Sequence, residues 1–445
     1  MVMEKQRMGI DSDDLNPAIC SHHKQLSRRT LLRASGLGSL SWLSPVAELL
    51  AGQSEVESPR SKPRSMIVLW LAGGPSQLET FDPHPDSRIA GGTRAIQTNV
   101  PGIRVASGLE QIAEQMDNIS LVRSMISREG DHERATYQVK TGFRPDPTLV
   151  HPSLGAVICH EISNPSFSIP RHVSILSSEW PARGGYLGDD LDAFVIYDPK
   201  QEIPDVQTRV SVSRQEARMK SLEFVERHFV RHRIKDLESK KTRHQATMRK
   251  ALEMMHSDLL TAFDLGAVPQ RELGEFGDTP FGRGCLVAAQ LIEVGVRCVE
   301  VTLGGWDSHI NNHGIQSDRV AILDPAFAAL LRRLKSRDLL KDTVVLCGGE
   351  FGRTPSINPA GGRDHWPHGF SVALAGGGFR GGKVIGATDP EGSKSVERPI
   401  QVADLHATIL NVLGIDFSRK VQTPVGRPVR LSPGKVIGDL ITTLS

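Results

Sequence analysis

The sequence predicts an α/β protein whose core is a mainly parallel β-sheet covered by helices on both faces. Three observations carry this. Short, continuous apolar runs recur along the chain, as buried strands require. Helical patterns separate several of these runs. Glycine-rich loops follow the runs, as in Gly73-Gly74-Pro75, Gly304-Gly305 and Gly348-Gly349.

The chain opens on a different kind of segment. Ser27-Arg28-Arg29-Thr30-Leu31-Leu32-Arg33 precedes a mildly apolar stretch from Leu31 to Leu50. Paired arginines before such a stretch are the pattern of a twin-arginine export signal, here residues 1–52. The sequence is compatible with cleavage near Ala47 or Ala51 and with an uncleaved anchor. Ser39, Ser41, Ser44, Pro45 and Glu48 interrupt the roughly 20 apolar residues that a stable membrane span would need. The expected partner is the twin-arginine translocase, and the expected location is the periplasm or cell envelope. Residues 53–65, rich in Ser and Pro, read as a linker.

The folded part is expected over 66–445. The first strand is Met66–Leu71. Further strands are expected at Ile119–Val122, His172–Leu176, Arg297–Leu303, Thr343–Cys347 and Phe370–Ala375. Leu109–Met116, Ser153–Ile162, Gly284–Glu293, Asp318–Leu334 and Val402–Leu413 read as helices, the last ended by Gly414. Residues 213–263 contain no Gly or Pro. Leu222, Val225, Phe229, Ile234 and Leu237, then Met248, Leu252, Met255, Leu259 and Phe263, fall at helical spacing. A helical hairpin inserted into the main body follows, with its stripes packed on that body. His228, His232, His244 and His256 on it read as surface residues. Residues 416–434 read as loop.

Composition excludes some functions. A net charge of +2 gives no electrostatic case for nucleic acid. Apart from Cys20, the cysteines Cys159, Cys285, Cys298 and Cys347 are scattered, with no Cys-x-x-Cys pair, and read as buried thiols.

Ligands of open α/β sheets collect beyond the carboxyl ends of strands. After Leu303 come Asp307, His309 and His313. After Cys347 come Glu350 and Arg353. Before Phe370 come Arg363, Asp364, His365 and His368. Imidazole with carboxylate suits zinc, iron or manganese. Asp307, His309, His313, Glu350, His365 and His368 are therefore the expected metal ligands. Arg353 and Arg363 are expected to neutralise an oxyanion. Asp364 could orient a histidine from behind.

The stretches LWLAGGPSQLETFDP, GGWDSHINNH, GGEFGRTP and GRDHWPHGFSVALAGGGFRGGKVIGATD, with the late GRPVRL, closely resemble the DUF1501 family over roughly residues 66 to 440. That family is placed with alkaline phosphatases, sulfatases and phosphoglycerate mutases. The resemblance implies a doubly wound, alkaline phosphatase-like sheet. It also implies a site for one or two divalent ions (zinc, calcium, manganese or iron) acting on phosphate or sulfate esters of small molecules or glycans. Three departures matter. The first strand lacks the metal-binding Asp of relatives; Glu79 and Asp82 are the nearest acids. Phe351 stands where relatives carry a second ligand after Glu350. No Cys or Ser begins a C/S-x-P/A-x-R motif, so a formylglycine nucleophile is not expected. Counting back from Thr141-Gly142 reaches His132 instead, as ligand, general acid or nucleophile. Ser76 and Ser124 are weaker nucleophile candidates. A catalytically divergent metal-binding scaffold or glycan-binding envelope protein is the alternative reading.

Overall fold

The computed structural model describes residues 65–163, 167–204, 206, 210–231 and 243–442. By its contacts the chain divides into Met1–Arg60 and Ser61–Ser445, and every described residue belongs to the second unit. The expected signal and nearly all of the expected linker lie outside the described residues. Ser65 is the exception. It already begins the first strand, buried, with its hydroxyl donating to the Val296 carbonyl at 3.0 Å.

Nine strands form one sheet: β1 Ser65–Leu71, β2 Ile119–Ile126, β3 His172–Ile175, β4 Phe194–Ile196, β5 Cys298–Leu303, β6 Thr343–Gly348, β7 Phe370–Gly376, β8 Lys383–Ile385 and β9 Ile400–Gln401. Their order is β8-β2-β7-β6-β1-β5-β3-β4, with β9 also along β2. β7 runs antiparallel to both neighbours, and every other pairing is parallel.

Period-two alternation in β1 builds both cores at once. Ile67, Leu69 and Leu71 face one side, where they share a core with helices α5 (Pro280–Glu293) and α6 (Asn312–Ser336). Met66 and Trp70 face the other, under α2 (Leu154–Glu161) and α7 (Val402–Val412). This is the doubly wound α/β arrangement that the sequence predicts. Cys159, Cys285, Cys298 and Cys347 are free and buried, as expected.

Some elements differ from expectation. The helix expected over Leu109–Met116 shortens to Glu110–Ala113, its first N–H groups held by the buried Asp324 carboxylate. The insert has helices α3 (Val212–Arg231) and α4 (Arg243–Met255), and the second gives way to a 3-10 turn capped by Ser257. Val225, expected on a buried stripe, is 60% exposed. His228 and His256 are exposed, while His232 lies outside the described residues. Residues 416–434 carry an antiparallel pair, Lys420–Gln422 with Pro428–Arg430, closed by a turn through Pro424 and Gly426. Among the described residues, no helix is long and apolar enough to cross a membrane.

Helix α1 (His132–Thr141) follows β2 and is fixed from three directions. Asp131 caps its start by accepting from the Arg134 N–H, and Gly142 ends it at φ 79°. Lys140 in its last turn pairs with the buried Glu300 of β5 at 2.8 Å, over the Trp70 ring. His406 of α7 donates from Nε2 to the Val139 carbonyl at 2.8 Å.

Burial pushes the His406 imidazole down to about 4, while its bond to Val139 works the other way. The unfolded chain binds a proton near the usual 6.5, and the folded chain does not until about 4. Stability from this group is therefore present above pH 6.5 and is lost as pH falls towards 4, by about 3 kcal/mol in all. A His406→Gln variant keeps a donor for Val139 and removes this titration. Melting temperatures measured from pH 7 to 4.5 should fall less steeply for the variant than for the parent. Parallel curves would refute the assignment.

Candidate metal centre

β1, β2, β5 and β6 all end at the same edge of the sheet, and the loops beyond them meet there. Gly73 is the tightest point. Its φ of 112° suits glycine, and a Cβ there would meet the Asp307 amide nitrogen at 2.6 Å. Its N–H donates to Glu350 Oε1 at 2.9 Å, and its carbonyl accepts from Arg353. A Gly73→Ala variant should lose about 2 kcal/mol or more from backbone strain and displaced loops. Thermal melting checks it, and a change below 0.5 kcal/mol (the usual scale for surface sites) would contradict the close approach. The Asp307 loop and the Asp364 loop are also laced together. Arg363 N–H donates to Ser308 O at 3.0 Å, and Asn312 N–H to Gly361 O at 2.9 Å. A Cβ at Gly362 would overlap the His309 carbonyl.

Four side chains converge at this edge. His132, Asp307 and His365 present ligand atoms within 4.8 Å of one another. His309 joins on the Asp307–His365 side. Its Nε2 lies 3.2 Å from Asp307 Oδ1 and 3.0 Å from His365 Nε2. Asp307 Oδ1 is 3.5 Å from His365 Nε2, and Oδ2 is 3.5 Å from His132 Nε2.

Each imidazole is held from behind through Nδ1. His132 Nδ1 meets Glu350 Oε1 at 2.7 Å, His309 Nδ1 meets Asp364 Oδ1 at 2.7 Å, and His365 Nδ1 meets the Gly130 carbonyl at 2.8 Å. A carbonyl only accepts, and so does an ionised carboxylate. The protons therefore sit on Nδ1, and the Nε2 lone pairs are left facing Asp307. Two such lone pairs stand 3.0 Å apart in His309 and His365. His132 Nε2 is buried without a hydrogen-bond partner.

This donor set fits a cation. Tetrahedral zinc holds nitrogen and oxygen at about 2.0–2.2 Å, which separates neighbouring ligands by about 3.3 Å. Four of the six separations, 3.0, 3.2, 3.5 and 3.5 Å, bracket that value, while the set whose ligand atoms all lie within 4.8 Å of one another is His132, Asp307 and His365, with His309 to one side. Imidazoles fixed by carboxylate and carbonyl acceptors are the usual support of such ligands. The hydrogen bond to Glu350 raises the pKa of His132 against the effect of burial, so a proton competes with an ion there. Burial lowers that of His365. Burial opposes the charge of Asp307, yet Arg353 and the histidines hold its carboxyl below the ordinary range.

The remaining sequence-predicted residues take other places. Glu350 is fully buried behind His132, with Oε1 engaged and Oε2 without a partner, so it supports a donor rather than joining the four. His313 is exposed in the first turn of α6, 3.4 Å from the Thr93 hydroxyl. His368 is exposed with its ring edge-on to Trp366. Neither reaches the cluster: Ile310-Asn311-Asn312 leads His313 into the start of α6, and Trp366-Pro367 separates His368 from His365. Arg353 is fully buried and donates to the carbonyls of Gly73, Gly74 and Arg363 and to Asp307 Oδ1, the last at 2.6 Å. Arg363 is fully buried too, and all its donors go to Glu79 and the carbonyls of Ile89, Thr354 and Pro355. Both arginines are structural forks, not free oxyanion binders. Phe351 stacks on His365 at 4.5 Å and tilts against His132 at 5.0 Å, forming an apolar floor. Ser76 donates to Glu79 and Ser124 to the Arg398 carbonyl, so neither faces the donors.

Sequence reasoning missed the Gly130 carbonyl and the Gly73 amide. Backbone groups leave no residue-type signal. The nearest hint was the unbroken glycine pair after β1.

No curated protein sequence matches the chain. Solved structures match at low identity. The PsFucS1 sulfatase from Pseudoalteromonas sp. is 12% identical, with 84% of this chain and 70% of that one covered and a TM-score of 0.36. The zinc-bound C-terminal periplasmic domain of EcEptC from Escherichia coli is 11% identical over 87% and 94%, with a TM-score of 0.37. The alkaline phosphatase of the Antarctic bacterium TAB5 is 13% identical over 80% and 99%, with a TM-score of 0.37. A family model described as "Protein of unknown function (DUF1501)" matches residues 63–441, and the chain therefore belongs to the DUF1501 family.

Proposed function

We propose that the protein is an exported, metal-dependent hydrolase of phosphate or sulfate esters. The observation that supports it most is the set of three imidazoles, each protonated at Nδ1, that turn Nε2 towards one carboxylate at ligand spacing. His132, His309, His365 and Asp307 would hold the ion. Three nitrogens and one carboxylate suit zinc, iron or manganese better than calcium, which takes six to eight oxygens. A divalent ion bound there supplies Lewis acidity towards an ester oxygen.

The chain's own groups do the rest. Glu350, Asp364 and the Gly130 carbonyl fix the three rings in one tautomer. Arg353 fixes the Asp307 carboxylate and keeps it ionised. Phe351 excludes water from one side of His132 and His365. No Ser, Thr or Cys side chain hydrogen-bonds to the four donors among the described residues, which favours attack by water over a covalent enzyme intermediate. Export by the twin-arginine route suits a site assembled from four separate strand ends before translocation.

The locked arginines favour a second reading, a metal-binding scaffold that binds a glycan or envelope partner without turnover. One experiment separates them. The purified folded unit is assayed for bound metal and for turnover of phosphate and sulfate esters, with and without chelator. Chelator-sensitive turnover supports the hydrolase. Bound metal without turnover supports the scaffold, and no metal at all overturns both.

A further inference from the structure

The charges around the cluster select among esters. Asp307, Glu350 and Asp364 are three carboxylates in contact with its imidazoles. Arg353 is the lysine or arginine that pairs with them among the described residues. Three negative charges against one positive leave a deficit of two, which one divalent ion cancels when the imidazoles are neutral. None of the positive charge in direct contact with the cluster is then left over for a substrate. Arg353 cannot turn to an incoming anion without abandoning Asp307 and three carbonyls. Arg363 is held by Glu79 and three carbonyls, with no exposed surface. The mouth of the site is itself acidic, since Asp307 is 46% and Asp364 56% exposed.

Resting on the hydrolase reading, we infer that the site takes esters whose transferred group carries a single negative charge, and discriminates against phosphate monoesters. A phosphate monoester carries about −1.5 to −2 at neutral pH. Its second charge would stand beside Asp307 and Asp364 with no counter-charge, where like charges in a partly desolvated site repel. A phosphodiester or a sulfate monoester brings one charge to the same tetrahedral geometry. Asp364 becomes a specificity-determining residue through its charge, in addition to holding His309.

The test uses zinc-loaded protein at pH 8 and low salt, with dimethyl phosphate, methyl sulfate and methyl phosphate as probes in isothermal titration. Nitrophenyl esters of the same three types report turnover. Dimethyl phosphate or methyl sulfate is expected to bind at least about tenfold tighter than methyl phosphate, the order of one uncompensated charge near a half-exposed carboxylate. Their ranking tells diester from sulfate. An Asp364→Asn variant keeps an oxygen for His309 Nδ1 and should narrow the gap about threefold or more by improving methyl phosphate. Equal or tighter binding of methyl phosphate, or a gap unchanged in Asp364→Asn, overturns the inference while turnover keeps the hydrolase reading. If no probe binds and no ester turns over, both fail together.

Discussion

An Asp307→Asn variant is expected to lose divalent-ion affinity by more than the about 10–100-fold that removal of a supporting partner costs a metal ligand. Asp307 contacts the other three donors and is the one carboxylate among the four. Oδ1 reaches His309, His365 and Arg353, and Oδ2 faces His132. An amide removes the charge that offsets the cation. Its NH2 group, if turned towards the rings, would also oppose the Nε2 lone pairs with donors that no bound ion could share. Activity on any ester should fall in parallel. Zinc titration against a competing chelator measures the affinity. His313→Ala and His368→Ala serve as contrasts, because those side chains stand outside the cluster. Both should bind zinc within about threefold of the parent, as expected of surface substitutions. An Asp307→Asn variant with parental affinity, or a His313→Ala variant as defective as Asp307→Asn, would remove the four-donor assignment.

The strands were legible because β1, β5, β6 and β7 are buried on both faces and read as apolar runs. Such runs announce the sheet and, through it, the edge at which polar loops must meet. That is why Asp307, His309, His313, Glu350, His365 and His368 stand out in the sequence as candidate ligands, of which the structure brings Asp307, His309 and His365 together. What the sequence could not supply was the direction of each side chain. Glu350, Arg353 and Arg363 look from their spacing like a carboxylate ligand and two anion binders. Their burial reverses this, because a buried charge must be satisfied by the protein itself. Three loops that approach closely leave carbonyls and a carboxylate in need of donors, and the two guanidinium forks fill that need. His132 shows the converse. Its sequence position allowed acid, nucleophile or ligand, and only the Glu350 contact at 2.7 Å fixes which nitrogen is free.

An Arg363→Met variant should be the most destabilising single change near the site. The guanidinium pairs with Glu79 at 2.9 Å, with side chains 0% and 4% exposed. Methionine fills much of the volume but leaves the Glu79 carboxyl group buried and held by Ser76 alone. Breaking one side of a buried pair costs about 3–5 kcal/mol. The carbonyls of Ile89, Thr354 and Pro355 lose their donor as well. The melting temperature should drop by roughly 5 °C or more, given about 2–4 °C per kcal/mol for large domains. A Glu79→Gln/Arg363→Met double variant should regain most of the loss, since replacing both partners is often near neutral. A purely catalytic arginine would behave differently: its loss would lower turnover, leave the melt unchanged and gain nothing from Glu79→Gln. The same pair ties the loop after β1 to the loop that carries Asp364 and His365. Zinc affinity should therefore fall in Arg363→Met and recover with stability in the double variant. Recovery of the melt without recovery of zinc binding would mean that Arg363 positions the ligands by more than its pairing with Glu79.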